Sequence, residues 1–284
     1  MGLSMAKKIQ KGKLAVVCGG CILAVLFVVG LVWVGRGTDP QGSEGTPSSV
    51  QATLDPADAV VETAPPENME LAEDKIASFL QGPKSWKERR VWSGKWGKTI
   101  YDGSSFGAFG CGLCCMSNIY CSLTPYRCSP VDMYRYAKKT TEYGGGGAID
   151  WGYMAQTLES LGLSCEVGNK PETYARFQDI VQQSRACLVV VSSDDSTCYW
   201  KNTPGHYVVL FLYNPETDKV FLTDSGDPDH NRHWVSLKKI YKSLKMANHR
   251  QYMTISSYEE QNDQWRHTQI GGVCVLPESW KNEK

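Results

Sequence analysis

Two short segments of the chain carry the residue types needed for nucleophilic catalysis. The first, FGCG at 109–112, is a glycine-rich loop that runs into an apolar stretch, and the second, GHYVV at 205–209, opens a strand-like run about 95 residues after Cys111. Because the N–H groups and dipole of a helix N-terminus favour negative charge, a thiol at Cys111 would ionise readily there. An imidazole at His206 would accept the thiol proton. The pair predicts a nucleophilic cysteine with a histidine as its base.

The elements that would hold this pair follow from the apolar patterns around it. Helices are predicted at 67–80, at 111–122, from the Ser129 N-cap to before Gly144, from the Asp150 cap to Leu161, at 171–185 and at 234–244. Strands are predicted at 187–191, 206–213, 219–223 and 251–258, and the turn at 214–218 joins two of them into an antiparallel hairpin. Helices first and strands afterwards indicate an α+β fold with a helical half packed on an antiparallel sheet.

Over roughly residues 90–230 the chain resembles the C39-like branch of the papain-like cysteine peptidases. The matching residues are GCG at 110–112, GHYVV at 205–209, and Asp224 just after the following strand. The resemblance implies the papain-like fold, with Cys111 as nucleophile, His206 as general base and Asp224 as the acid that orients the histidine. It also implies hydrolysis of peptide or amide bonds without a metal or an organic cofactor.

The chain departs from the family pattern in two places. Bacteriocin-processing members have a glutamine shortly before the cysteine that helps bind the oxyanion, whereas this chain has Ser105 near that position and its nearest upstream glutamine is Gln81. This leaves the backbone N–H of Cys111 as the expected oxyanion donor. The usual Asp-Pro pair is also displaced, so Asp227 competes with Asp224 for the orienting role.

The N-terminal part has the pattern of a membrane anchor. Residues 14–35 form an uncharged, mostly apolar run of about 22 residues, enough to cross a bilayer as one helix. Four lysines in the tail at 1–13 precede this run, so the positive-inside bias keeps the tail in the cytoplasm. Residues 36–66 are predicted to be a disordered stalk before the domain at 67–284. We therefore expect a single-pass cell-membrane protein with an extracytoplasmic domain; a cleaved signal peptide is the alternative.

Composition bears on the partners and on the redox state. The formal net charge is zero and both signs are mixed along the domain, which argues against a nucleic-acid partner. The expected partners are a peptide or protein substrate and the membrane. Nine of the eleven cysteines follow the apolar run, and an odd number leaves at least one thiol without an intramolecular partner. The sequence does not fix any pairing.

Several other interpretations of the same residues remain open. Cys111 and Cys114 form a CxxC motif, typical of a thiol–disulfide oxidoreductase, and Cys114 could replace Cys111 as a nucleophile. The same two cysteines with His230 and His233 could hold zinc. A domain of this fold could also bind partners without catalysis, and within the hydrolases a cell-wall amidase uses similar chemistry.

Overall fold

A computed structural model describes residues 71–81, 95–194 and 196–268 of the chain. Within these ranges no helix combines the length and the apolar character needed to cross a bilayer. The predicted cytoplasmic tail, anchor and stalk (1–66) lie outside the described residues. Their assignments therefore stay predictions.

The described helices come mostly before the histidine segment, as the sequence predicts. The α-helices are α1 (Phe106–Phe109), α2 (Cys111–Leu123), α3 (Pro130–Thr140), α4 (Trp151–Ser160), α5 (Tyr174–Gln182) and α6 (Leu237–Ser243). The predicted caps are confirmed: Ser129 forms a capping box with Asp132 before α3, and the Asp150 side chain accepts a hydrogen bond from the Tyr153 N–H. These caps satisfy N–H groups that the first helical turn leaves free.

The strands form two antiparallel sheets. A small hairpin pairs β1 (Ile100–Tyr101) with β2 (Ser104–Ser105). The main sheet has the order β3-β8-β4-β5-β6-β7. Its strands are β3 (Leu161–Gly168), β4 (Ala186–Val191), β5 (His206–Asn214), β6 (Lys219–Thr223), β7 (His233–Ser236) and β8 (Tyr252–Asp263). The mixed fold of helices and antiparallel sheet and the predicted β5–β6 hairpin are thus confirmed.

Helices cover both faces of the main sheet. On one face α2, α3 and α4 pack against alternate strand residues such as Val190 and Val209. On the other face α5 and α6 pack against the intervening residues, such as Val191 and Val208. Because successive strand side chains point to opposite faces, this double coverage explains why β4 is apolar throughout. The central sheet therefore has a helical layer on each side.

The helix predicted at 67–80 is wrong over its described part. Residues 71–81 contain only a three-residue 3₁₀ turn at Glu73–Lys75, and the chain is then extended through Gln81. The segment 76–81 is buried on all sides, and its N–H groups bond to side chains of α2: Ala77 to Ser122 Oγ at 2.9 Å and Phe79 to Asn118 Oδ1 at 3.1 Å. These tertiary partners replace helical hydrogen bonds, so the apolar spacing of this segment does not produce the predicted helix.

Two boundaries also differ from the sequence prediction. The start of the helix predicted at 234–244 is strand β7, because Trp234 and Val235 pair with β6, and α6 begins only at Leu237. Strand β3 was not placed by the pattern, since its pairing with β8 contains two irregularities that blur the alternation of polar and apolar residues.

Candidate active site

Cys111 is the first residue of helix α2. Gly110 occupies the N-cap, and the rest of the helix is buried, whereas Cys111 itself is partly exposed. A Cβ built on Gly112 would lie 2.7 Å from Ile149 Cγ2 and 3.5 Å from Tyr207 Cδ2. The glycine therefore lets α2 approach its own neighbours closely, and this approach fixes the sulfur beside β5.

His206 is the first residue of strand β5, the strand on which α2 packs. It pairs with Val191 at the end of β4, and its side chain is 12 % exposed. A central strand paired on both sides is a rigid support for an imidazole. The crossing of helix start over strand start brings together two residues that are far apart in sequence.

The Cys111 sulfur lies among hydrogen-bond donors. His206 donates to it through its side chain, and the backbone N–H groups of Tyr207 and Gly112 also point at it. Burial alone would raise the pKa of the thiol, but the His206 bond and charge and the two N–H groups outweigh burial and lower the pKa below its ordinary value. The arrangement favours a thiolate.

Asp224 follows the last residue of β6 and holds the other side of the imidazole. Its Oδ1 accepts a hydrogen bond from His206 Nε2 at 2.7 Å, and the carboxylate is 0 % exposed. Burial opposes charge on both groups, yet their attraction and hydrogen bond raise the pKa of His206 to about 10 and hold the pKa of Asp224 far below its usual range. An imidazolium bonded to both a carboxylate and a sulfur is therefore the favoured state.

The structure distinguishes the two candidate acids. Asp224, at the strand end, contacts His206, whereas Asp227 lies in the next turn and its Oδ2 is 3.7 Å from His230 Nδ1. The N–H of Asp227 donates to Asp224 Oδ1 at 3.1 Å. Asp227 thus supports the carboxylate that bonds to the imidazole and does not replace it.

Further groups around Asp224 were not identified from the sequence. Trp200 Nε1 donates to Asp224 Oδ2 at 2.7 Å, and His230 Nδ1 lies 3.6 Å from the same oxygen. The Asn231 side chain accepts from the Asp224 N–H at 3.0 Å. Trp200 lies in the loop before β5 with no motif around it, so no local signal could have identified it. The Trp200 N–H, together with the N–H groups of Gly226 and Asp227, compensates the burial of the carboxylate charge.

The sequence lacks the glutamine that the C39-like pattern places shortly before the cysteine, and the structure shows where Ser105 and Gln81 lie instead. Ser105 is the N-cap residue of α1. Gln81 lies in the buried extended segment, where its Nε2 donates to the Gly107 carbonyl at 3.2 Å and its Oε1 accepts from Ser225 Oγ at 2.6 Å. This amide links α1 to the loop that holds Asp224.

The other cysteine and histidine candidates do not converge on a site. Cys114 is fully buried, and the segment before Cys111 is helix α1 rather than the buried strand that a thioredoxin-like CxxC requires. His233 is an exposed residue whose Nδ1 lies 2.9 Å from the Asn231 carbonyl. Within the described ranges, no group of three or more His, Cys, Asp or Glu residues is arranged to hold a metal ion.

Comparisons with known proteins include a distant structural neighbour. No family model matches the chain, and no curated protein sequence matches it. The chain is similar to the crystal structure of the N-terminal peptidase C39 like domain of the toxin secretion ATP-binding protein from Vibrio parahaemolyticus. The match has 18 % identity and a TM-score of 0.28, and covers 45 % of this chain and 82 % of that one. This is a distant similarity of fold and does not bear on activity or substrate.

Proposed function

We propose that this protein is a cysteine hydrolase of peptide or amide bonds, with the papain-like arrangement that its C39-like motifs imply. The observation that carries the proposal is the hydrogen-bonded series from the Cys111 sulfur through His206 to Asp224. A lowered thiol pKa beside a raised imidazole pKa is what an activated cysteine nucleophile needs. Cys111 is the nucleophile, His206 the acid and base, and Asp224 the orienting group.

The reaction begins with attack by the Cys111 thiolate on the substrate carbonyl carbon. A C–S bond forms, and the carbonyl oxygen takes up negative charge, to which the backbone N–H of Cys111 at the helix start donates. The His206 imidazolium gives its proton to the leaving nitrogen as the C–N bond breaks, which leaves a thioester and a free amine. His206 then takes a proton from water, the hydroxide attacks the thioester, and the acid and the thiolate are released.

The N-terminal sequence supports a location for this activity. As part of the proposal, the apolar run at 14–35 anchors the chain in the cell membrane and the stalk at 36–66 carries the domain on the extracytoplasmic side. A flexible stalk of this length has a mean reach of roughly 30 Å. Peptide and protein substrates near the membrane surface would be accessible to it.

The principal alternative is an oxidoreductase that uses Cys111 and Cys114. Such an enzyme needs both cysteines, whereas the proposed hydrolase needs only Cys111. It also leaves the contacts of His206 and Asp224 without a function. The hydrolase accounts for all three residues with one mechanism.

The test uses the full-length protein and three variants: Cys111→Ala, His206→Ala and Cys114→Ser. Each is incubated with a peptide library derived from a digested proteome, and new termini are identified by mass spectrometry. We expect cleavage by the wild type and by Cys114→Ser, and none by the other two. Loss of cleavage in Cys114→Ser with retained folding would make Cys114 the nucleophile, and identical product profiles for wild type and Cys111→Ala would refute the hydrolase.

A further inference from the structure

We propose that Lys245 forms a subsite for a carboxylate on the leaving-group side of the scissile bond. The preferred substrates then carry Asp, Glu or a free C-terminal carboxylate shortly after the bond that is cleaved. This inference rests on the proposed hydrolase activity and extends it to a substrate class.

The backbone of Lys245 is fixed against the end of β4, the strand that pairs with the start of β5. Its N–H donates to the Val190 carbonyl at 3.0 Å, and the preceding residue, Leu244, forms an isolated bridge with Val191. Val191 is the residue of β4 that pairs with His206. Lys245 therefore occupies a defined position at the end of β4, one strand away from His206, although it follows His206 by about 40 residues.

The side chain of Lys245 extends along Gly205, the residue before His206. A Cβ built on Gly205 would lie 2.7 Å from Lys245 Nζ and 3.3 Å from its Cδ. Any larger residue at 205 would displace the lysine, and Gly205 is itself exposed. The ammonium group thus lies against Gly205, the residue that precedes His206 in the chain. Over the part of the chain that the structure describes, Lys245 has no ion-pair partner within 4.0 Å.

The direction of the subsite follows from the chemistry of His206. The imidazolium must come within hydrogen-bond reach of the leaving nitrogen to protonate it. The chain that follows this nitrogen therefore leaves the site on the histidine side, where Gly205 and Lys245 lie. A free ammonium there attracts a carboxylate and repels a lysine or arginine of the substrate.

The surroundings of Lys245 strengthen this preference. Residues 237–250 contain five lysines and arginines and no acidic residue. Three of these lysines, Lys238, Lys239 and Lys242, are exposed on α6. Their fields add to that of Lys245 and are not cancelled locally.

The partial exposure of Lys245 sets the size of the preference for an acidic residue. Lys245 is half-buried, so solvent screens its attraction less than at an open surface, but screening remains. We expect kcat/KM to be roughly three- to tenfold higher for a peptide with Glu after the scissile bond than for one with Gln. A Lys at that position should lower it further.

The test compares wild type with Lys245→Gln and Lys245→Glu, and uses Lys219→Gln as the matched control. Lys219 is an exposed lysine at the far end of the β5–β6 hairpin. Cleaved bonds in the peptide library are aligned, and matched quenched peptides with Glu, Gln or Lys after the bond are then assayed. We expect Lys245→Gln to lose the acidic preference, Lys245→Glu to reverse it, and Lys219→Gln to keep it.

A second measurement uses the charge of an alkylating reagent. The rate of Cys111 labelling by iodoacetate, divided by the rate with iodoacetamide, should fall several-fold in Lys245→Gln. An unchanged ratio together with an unchanged peptide preference would overturn the subsite while cleavage still requires Cys111. If wild type and Cys111→Ala cleave alike, the proposed function fails and the subsite fails with it.

Discussion

The two ends of helix α2 carry cysteines in opposite surroundings. At its start, Cys111 faces the His206 imidazole and backbone N–H groups, which lower the pKa of the thiol. Near its end, Cys121 lies 3.8 Å from Cys128, sulfur to sulfur, in the buried core. There, burial and the hydrogen bond that Cys128 makes to Cys121 raise the pKa of Cys128 well above its ordinary value.

This contrast shows that depth of burial does not decide whether a thiol ionises. Burial opposes ionisation at both sites, but only at the helix start does a cation act on the sulfur. At the helix end the Cys128 N–H donates to the Cys121 sulfur at 3.3 Å, but the charged side chain that acts on Cys128 is the Asp132 carboxylate, which raises the thiol pKa. One helix thus holds a thiol of lowered pKa at one end and a packing contact at the other.

Removal of the Cys111 sulfur, at the start of α2, should cause the largest loss of activity. Cys111→Ala should lower kcat/KM by on the order of 10⁴-fold or more, because no other group can form the thioester. The assay is hydrolysis of a peptide identified in the library screen. Cys115→Ala, one turn along the same helix, is the matched control and should keep activity; equal losses in both would point to a folding defect.

Removal of the Asp224 carboxylate should lower the activity of the Cys111–His206 pair without abolishing it. Asp224→Asn should reduce kcat/KM by about 10²-fold, since the amide still orients the ring but no longer stabilises its charge. Asp224 is a main cause of the raised His206 pKa, so the alkaline limb of the pH–rate profile, expected near pH 10 in the wild type, should move to lower pH. An alkaline limb that stays in place would contradict this role.

Removal of the Trp200 N–H that bonds to the Asp224 carboxylate should have a smaller effect on activity. Trp200→Phe keeps the ring volume but removes the N–H that bonds to Asp224 Oδ2, so kcat/KM should fall by roughly tenfold. Unfolding by denaturant should show a loss of about 1–3 kcal/mol from the poorly solvated carboxylate. The control is Trp234→Phe, at an exposed tryptophan. Similar losses in both variants would show that Trp200 has no specific role in holding Asp224.

The smallest effect on activity is expected at the far end of the helix. Cys128→Ala should leave kcat/KM unchanged and lower the free energy of unfolding by about 1 kcal/mol, because it removes a buried sulfur and its contact with Cys121. Denaturant unfolding and the peptide assay measure the two quantities on the same sample. A large loss of activity at unchanged stability would show that the two ends are functionally coupled.

Local patterns predicted well where Cys111, His206 and Asp224 lie in the fold. Cys111 starts a helix and His206 starts a strand, and the hairpin places Asp224 at the same edge, each from a signal within a few residues. These features arise from backbone periodicity and turns, which are local. The order of helices and strands likewise follows from them.

Long-range packing set the features that the sequence did not predict. The apolar spacing from Ile76 to Leu80 suits a helix, but α2 side chains take its N–H groups and hold it extended. Trp200 contacts Asp224 and Lys245 contacts Gly205 from loops with no motif, because strand pairing and helix packing bring them there. Such placement depends on contacts between distant segments and leaves no periodic trace.

The central claim is that Cys111 is a thiolate held by His206, and the pH dependence of its alkylation tests this most directly. The folded full-length protein is treated with iodoacetamide from acid to alkaline pH, and labelling at each cysteine is quantified by mass spectrometry. We expect Cys111 to react well below the ordinary thiol pKa of about 9, faster than every other cysteine, and His206→Ala to move its profile to higher pH. Labelling of Cys111 that follows an ordinary thiol and is unchanged in His206→Ala would contradict the account.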